Sequence, residues 1–400
     1  MPPTLQPYWP ADAEPLDDPN VPVSGELSPN FGLIYRDPSN WLGIPPDKEL
    51  LNFLRNPLKS IDEKYGVLFS GAYTALFQQS IGPGAVNGAA GDLDLLARWV
   101  VLGRGTKDTG TFYFAAENRH RLEANTPSEI GGEIGSLLGT TNGFNNRGWA
   151  VKEAYWVQRL FEDRLRFGLG RVDSENLVGG YKLQSANTSF LNKAFSTNPA
   201  IAFPGSGMGA AFSVKPVEWF YVAAGAANAY GKTTTISIDD LFDEWRLFSW
   251  VEVGYTPKIE GLGEGRYRVA AWHMDSRELT GQPSDSGISF IVDQEVGEHI
   301  SLFARYGYAD GQLTNVRQIA EAGGAYEGLF GSSSDLTGLA FAWAQPEADL
   351  RNQMVLEAFH RFQITGRVQL TLGMQLIIDP SNAPDTDAEG VFSARLRVTF

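Results

Sequence analysis

Apolar and polar residues alternate along much of the chain after residue 66. In the last ten residues, VFSARLRVTF, apolar side chains occupy every second position, and the positions between them include Arg395 and Arg397. The segments GTFYFAAENR (110–119), RLRFGLG (164–170) and RVQLTLGMQLII (367–378) alternate in the same way. Because successive side chains of a β-strand point to opposite faces, each segment predicts a strand with one apolar and one polar face.

About sixteen such segments, each of about 9 to 16 residues, follow residue 66. They span residues 67–79, 92–104, 110–119, 145–160, 164–173, 207–215, 217–229, 246–256, 265–277, 286–295, 299–309, 315–326, 334–345, 350–364, 366–378 and 389–400. All ten prolines after residue 66 lie outside them, as expected because proline cannot donate to a β-ladder. We therefore predict an all-β fold, a transmembrane antiparallel β-barrel of about 16 strands. The alternative is a soluble β-sandwich whose apolar faces meet in a core.

The connections between these segments also alternate in length in the first half of the chain. Long connections follow the third, fifth and seventh segments, at 120–144, 174–206 and 230–245, whereas the connections between them are short. Short turns at one end and long loops at the other are typical of outer-membrane barrels. A loop as long as 174–206 is usually functional. We expect it either to enter the barrel and form a constriction or to cover its mouth.

The first 66 residues differ from the rest. Eleven of the 22 prolines lie in residues 1–46, which predicts an extended, Pro-rich leader. In residues 47–62, the leucines from Leu50 to Leu58 and Ile61 follow helical spacing, although Pro57 is expected to break or kink the helix. The predicted organisation is therefore a leader with a short amphipathic helix over 1–66 and a barrel over 67–400, with the constriction loop at about 174–206.

Composition excludes several classes of protein. Aromatic residues make up 12% of the chain and glycines number 44, which favours β-structure rich in turns. The mean hydropathy of -0.20 is too polar for a bundle of membrane helices. The formal net charge of -15 argues against binding nucleic acid. The lack of cysteine suits a protein that crosses an oxidising periplasm.

A family resemblance rests mainly on residues 153–230. An aromatic-rich strand ends near Gln158 and leads through a tight turn to RLRFGLGRVD (164–173), and a long loop follows with FLN (190–192) and the exit NPAIAFP (198–204). This order resembles the OprB-type carbohydrate-selective porins. The similarity covers most of residues 60–400, including SLFARYGYADG (301–311) and the tail from Leu356. The resemblance implies an outer-membrane porin for passive diffusion of small carbohydrates, without catalysis or a cofactor.

Two segments depart from the family pattern. The usual opening is represented only by SNWLGIPPDKELL (39–51), and LGMQLIIDPSNAP (372–384) lacks the more polar sequence expected before its turn. These departures bear on solute preference more than on the fold. A general or anion-preferring porin for other small solutes is therefore the second hypothesis.

A sugar channel needs groups that replace water around the sugar hydroxyls. Arginine offers a fixed fork of donors, and carboxylates accept hydrogen bonds. The residues predicted to line the pore or contact the solute are Glu117, Arg119, Glu153, Arg164, Arg166, Asn187, Phe190, Asn192, Lys193, Glu252, Arg305, Arg361, Arg395 and Arg397. The alternative is that these charges pair with one another across strands and only solvate the wall.

Motifs for catalysis are weak or missing. GSGMGAA (205–211) matches a dinucleotide-binding pattern but opens a strand instead of a helix, and no GxSxG occurs. The four histidines lie singly in different segments and predict no metal site. An outer-membrane enzyme would need a serine and a histidine within hydrogen-bonding distance on the outer wall. Asp239, Asp240, Asp243 and Glu244 are either a solvated acidic loop or a site for Ca²⁺ that bridges lipopolysaccharide phosphates.

The expected partners follow from this hypothesis. They are small sugars, the lipid and lipopolysaccharide of the bacterial outer membrane, and the barrel-insertion machinery, which would read the terminal Phe400. No nucleic acid, metal or cofactor is expected. Association of barrels into a homo-oligomer is left open.

Overall fold

The computed structural model describes residues 39–49, 51–82, 84–236 and 244–400. The strands are β1 (Val67–Ser80), β2 (Asn87–Leu102), β3 (Gly110–Arg121), β4 (Gly148–Leu160), β5 (Leu165–Val172), β6 (Gly207–Val217), β7 (Phe220–Asn228), β8 (Leu247–Tyr255), β9 (Lys258–Ile259), β10 (Gly263–Met274), β11 (Asp285–Val296), β12 (Ile300–Ala309), β13 (Val316–Glu327), β14 (Leu336–Pro346), β15 (Gln353–Gln363), β16 (Val368–Ile378) and β17 (Ala388–Thr399).

The sheet closes into a barrel. Each strand pairs antiparallel with the next, except that the two-residue β9 lies in a turn and β8 pairs directly with β10. The last strand returns to the first, with Ala72 opposite Thr399 and Ser80 opposite Val391. The wall therefore has sixteen strands, which confirms the predicted fold class. A closed wall leaves no unpaired strand edge.

The two faces of the wall are the predicted ones. In β17, Arg395 and Arg397 are 1% and 3% exposed, whereas Phe392 and Leu396 are 40% and 47% exposed. Burial alternates in the same way along β3 and β16. Since the exposed positions are apolar, the outer surface suits lipid and the inner surface carries the polar groups. Among the described residues, none of the helices is both long and apolar enough to cross a membrane.

Two prolines lie inside strands, so the predicted boundaries at 215 and 345 are wrong. Pro216 belongs to β6, at a register shift between Val214 and Val217. Pro346 is the last residue of β14. A bulge and a strand end are places where the missing N–H of proline removes no regular ladder bond.

Long and short connections lie at opposite ends of the barrel. The long-loop end carries the connections 122–147, 173–206 and 229–246, whereas the short-turn end carries turns such as 161–164 and 218–219. In the second half the connections at the long-loop end shorten to six to ten residues, for example 310–315. This shortening is why the alternation is hard to see there in the sequence.

The N-terminal helix lies at the short-turn end. Two 3-10 turns, Pro46–Lys48 and Asn52–Leu54, precede helix α1 (Arg55–Tyr65). The helix begins later than predicted, and Pro57 does not break it because proline is tolerated in a first turn. Gly66 ends it with φ of 70°. Leu50 and residues 1–38, where the Pro-rich leader is predicted, lie outside the described residues.

Candidate functional site

The constriction loop, defined here as residues 173–206, folds into the barrel. Most of its residues are buried, although it connects two strands at the long-loop end. Its local turns follow from two caps: Asp173 accepts a hydrogen bond from the N–H of Glu175 at 3.2 Å, and the Asn192 side chain accepts one from Ala194 at 2.9 Å. The second cap starts helix α3 (Lys193–Ser196). The loop therefore forms a compact body inside the barrel.

A carboxylate of the wall holds the loop by its backbone. Both oxygens of Glu357 on β15 accept N–H bonds from the loop, from Leu191 at 2.7 Å and from Asn192 at 2.8 Å. The Arg395 guanidinium on β17 donates to the carbonyl of Ser189 at 3.0 Å. Each of these charges is buried, so hydrogen bonds from the loop replace the water that the charge has lost.

Two further arginines, on β12 and β15, also hold the loop. Arg305 on β12 donates to the carbonyl of Ala194 at 2.7 Å and pairs with Glu321 at 2.8 Å. Arg361 on β15 donates to the carbonyl of Thr188 at 3.0 Å. Arginine suits this role because its planar fork binds several acceptors at once. Residues 188–194 of the loop are therefore fixed to strands β12, β15 and β17.

An aromatic cluster packs against the same part of the loop. The Phe190 ring lies 4.9 Å from Phe359, 5.3 Å from Phe195 and 5.8 Å from Phe303, measured between ring centroids. Phe190 is 0% exposed, so its ring offers no face to a solute. The prediction that Phe190 lines the pore is therefore wrong. The ring anchors the loop in an apolar core.

The loop between β3 and β4, residues 122–147, adds to this core and is called the supporting loop. It contains helix α2 (Pro127–Glu133). At the start of this helix, the Glu129 carboxylate accepts a hydrogen bond from the N–H of Thr126 at 2.6 Å. That hydrogen bond lowers the pKa of Glu129. Farther along, Thr140 donates to the Gln78 side chain of β1 at 2.8 Å. The supporting loop therefore packs into the same core, since its Ile130 and Leu138 belong to one buried cluster with Phe190.

A buried ionic network lies on the inner wall near the supporting loop. Carboxylate oxygens of Asp92, Asp94 and Glu117 lie within 4.8 Å of one another. Arg119 lies 3.2 Å from both Asp92 and Glu117, and Arg397 lies 3.6 Å from Asp94. Arg147 also contacts Glu117, so three guanidinium groups face the three carboxylates, and the cluster needs no metal ion to balance its charge.

Two cavities flank the constriction loop. The outer cavity, about 520 Å³, faces the long-loop end, and the inner cavity, about 420 Å³, faces the short-turn end. Consecutive residues line different cavities: Asp173, Asn176 and Gln184 line the outer cavity, whereas Val172, Leu177 and Leu183 line the inner one. The start of the constriction loop therefore separates the two cavities.

Both cavities lie on one side of the barrel. Their lining comes from β3 to β8, β10 to β13 and the loops, and no described residue of β1, β2 or β14 to β17 contributes. The space that these two cavities enclose is therefore off-centre in the barrel. Loop residues such as Leu177 and Asn198 also line it.

Five of the predicted residues line a cavity. Arg119 and Lys193 line the outer one, and Arg164, Arg166 and Glu252 line the inner one. Arg164 lies in the turn before β5 and is exposed there.

The other predicted residues line neither of these two cavities: Glu117, Glu153, Asn187, Phe190, Asn192, Arg305, Arg361, Arg395 and Arg397. For all of them but Phe190, contact with a solute stays a prediction. They bind the loops or one another; Asn187 donates to Asp94 at 3.2 Å and Glu153 accepts from Asn176 at 2.8 Å. Glu117 and Arg397 pair with other charges of the wall, whereas Arg305, Arg361 and Arg395 donate to carbonyls of the constriction loop. The alternation along a strand shows that such a side chain points inward, but it does not show whether water or a loop covers it.

Sequence reasoning missed several residues of the cavities. Arg268 and Asp293 form an ion pair at 2.8 Å in the inner cavity. Both lie at positions that the alternation of their strands turns inward. Lys152 lines the outer cavity, 3.1 Å from Asp173. It turns inward because β4 has a bulge opposite Ala115 and Ala116, a feature for which the sequence offers no signal.

Known proteins resemble this chain over most of its length. The family model for "Carbohydrate-selective porin, OprB family" matches residues 102–400. Porin AaxA from Chlamydia abortus is 24% identical over 272 residues, which cover 65% of this chain and 59% of AaxA. The match therefore spans less than two thirds of that relative.

Solved structures agree with this match. The high-pH structure of Pseudomonas putida OprB superposes with a TM-score of 0.72 at 16% identity and covers 92% of this chain and 100% of that one. The low-pH structure gives a TM-score of 0.57 at 14% identity and covers 91% and 100%. At such identities the superpositions establish the fold.

Proposed function

Because this chain belongs to the OprB family of carbohydrate-selective porins, we propose that small carbohydrates diffuse through it across the outer membrane. Its family and its barrel are those of bacterial outer-membrane channels, which are not enzymes. The solute moves down its own gradient, past the two cavities and the start of the constriction loop. No covalent step or cofactor enters this proposal.

The lining of the outer cavity carries the proposal. Its amides and hydroxyls that are not buried come from Asn142, Asn145, Asn176, Ser185, Thr233 and Asn315. Such groups both donate and accept hydrogen bonds, so they replace the water that a sugar hydroxyl loses on entry. Each contact is neutral and therefore weak enough for release.

The inner cavity offers a different surface. Tyr155, Tyr221 and Trp250 line it, next to the Glu252 carboxylate, which accepts a hydrogen bond from the Tyr221 hydroxyl at 2.6 Å. Aromatic faces support the apolar face of a pyranose ring, while charged groups bind its hydroxyls. A sugar that leaves the outer cavity thus meets a second favourable surface.

Single-channel current in a planar bilayer tests this function. We expect added sugars to reduce the current in a saturable way, with some sugars effective at lower concentration than others, because a bound sugar occupies the path of the ions. Current that no sugar reduces at any concentration would contradict the sugar site. It would leave the general or anion-preferring porin as the function.

A second function, an outer-membrane enzyme, has one observation in its favour. His273 Nδ1 lies 2.7 Å from the Ser286 hydroxyl on the outer wall, and its Nε2 lies 3.2 Å from Asp275. However, the N–H of Ser286 already donates to Asp285, so it is not available to stabilise an oxyanion. Neither cavity includes these residues. We therefore favour a channel without this activity.

The remaining partners belong to the proposal as well. Exposed apolar side chains around the wall, such as Phe167 at 43% and Leu396 at 47%, support contact with lipid. The backbone of Phe400 pairs with Gly71 at 2.7 and 2.8 Å, at the seam of the barrel, which supports recognition of this end by the insertion machinery. Lipopolysaccharide binding and association into homo-oligomers stay predictions. Asp239, Asp240 and Asp243, the acidic residues suggested for Ca²⁺, lie outside the described residues.

A further inference from the structure

Positively charged residues outnumber negatively charged ones along the path through the barrel, whereas the reverse holds for the whole chain. The two cavities are lined by eleven arginines and lysines and by eight aspartates and glutamates. The whole chain has 32 arginines and lysines against 47 aspartates and glutamates. Charges in a narrow, low-dielectric space act on a solute more strongly than charges on the outer surface. The excess of cations along the path therefore bears on which solutes enter.

Most cations of the outer cavity are paired with carboxylates of the wall or of the constriction loop. Lys152 lies 3.1 Å from Asp173, and Arg119 lies 3.2 Å from Glu117, which Arg147 also contacts. The two charges of each pair nearly cancel at the distance of a solute. They leave the outer cavity with little net field of their own.

Lys193 is the exception among the described residues that line the outer cavity. Its side chain is exposed, and it forms no ion pair or side-chain hydrogen bond within the described part of the chain. Its backbone is fixed, because its N–H donates to the carbonyl of Gly139 at 2.9 Å and because it directly follows Asn192, which caps helix α3. A rigid backbone thus presents to the cavity an ammonium group that contacts no carboxylate, among amides, hydroxyls and the Glu175 carboxylate, which binds Asn142 at 2.8 Å.

The inner mouth carries two more such cations. Arg164 and Lys215 line the inner cavity, and they are neighbours because the N–H of Lys215 donates to the carbonyl of Arg164 at 2.8 Å. Neither side chain has an ion pair within the described residues, and Glu218 at the same mouth offsets one of the two charges. At both ends of the path, an anionic solute therefore meets a cationic side chain that contacts no carboxylate of the described residues.

We infer that the preferred solute is an acidic carbohydrate, a polyhydroxylated molecule with one carboxylate or phosphate group. This inference rests on the proposed function and names its solute class. The amides and hydroxyls of the outer cavity bind the hydroxyl groups, and Lys193 binds the anionic group. Because the ammonium is a single hydrated point charge, it attracts the anion without holding it in a fixed geometry, and the solute is released.

Current block by three sugars tests the inference: glucose, gluconate and glucose 6-phosphate, each added to the full-length protein in a planar bilayer at low salt, where charge effects are least screened. We expect both anions to block at several-fold lower concentration than glucose. Lys193→Gln should raise the blocking concentration of both anions toward that of glucose and leave glucose unchanged. The anion that blocks at the lower concentration then shows whether a carboxylate or a phosphate is preferred.

Lys107→Gln is the matched control, because Lys107 is exposed in a turn at the short-turn end and lines neither cavity. It should change no blocking concentration. Equal block by all three sugars, or a Lys193→Gln variant that weakens glucose as much as the anions, would overturn the inference and leave the sugar porin intact. A channel that none of the three sugars blocks would instead remove the proposed function itself.

Discussion

Glu357→Gln is expected to raise the open-channel conductance and to let larger solutes pass. The carboxylate accepts the N–H groups of Leu191 and Asn192, and the amide would turn an NH₂ group toward one of these donors. A hydrogen bond to a charged group is worth about 1.5–3 kcal/mol, so weakening two of them shifts the loop toward detached states by more than about tenfold. The constriction then widens for part of the time.

Conductance and the size limit for sugars in vesicle swelling measure this effect. Glu298→Gln is a suitable control because Glu298 is exposed in a turn at the short-turn end and binds no part of the loop. It should behave as the parent protein. Unchanged conductance and size limit in Glu357→Gln would mean that Glu357 does not fix the constriction.

Leu372→Arg is expected to destabilise the barrel by about 2–4 kcal/mol, the cost of an arginine on the lipid-facing wall near the middle of the bilayer. Leu372 lies near the centre of β16, is 39% exposed and faces outward. The guanidinium would have to leave water for lipid. Urea unfolding in lipid vesicles measures the change in the free energy of unfolding.

Ser213→Arg places the same side chain on the other face and serves as the control. Ser213 lines the inner cavity, where water and other charges surround the guanidinium. Its effect on the free energy of unfolding should be small. Equal destabilisation by both changes would contradict the assignment of lipid and water to opposite faces of the wall.

The strands could be predicted from the sequence because the bilayer imposes a simple rule. Each strand must place apolar side chains outside and satisfy its backbone within the wall, so a period of two and an even strand number follow. The faces of β3, β5, β16 and β17 agree with this rule. The exceptions are local, at Pro216 and Pro346, where a bulge and a strand end accept a proline.

The site was harder to predict, because the alternation along a strand shows which side chains point into the barrel but not what they contact there. Arg166 and Arg395 alternate with apolar residues in the same way, yet Arg166 lines the inner cavity and Arg395 donates to the carbonyl of Ser189 in the constriction loop. Which of these occurs depends on where a loop of 34 residues folds back. Lys152 depends in addition on a bulge in β4.

The most direct test of the off-centre path is the reactivity of two cysteines. The chain has no native cysteine, so a single one can be introduced without background. Ser213 lines the inner cavity, whereas Ser393 faces inward from β17 but is 3% exposed and lines neither cavity. The measurement is the single-channel current of Ser213→Cys and Ser393→Cys before and after a charged methanethiosulfonate reagent. Rapid loss of current in Ser213→Cys with no change in Ser393→Cys is the predicted result, and comparable loss in Ser393→Cys would contradict it.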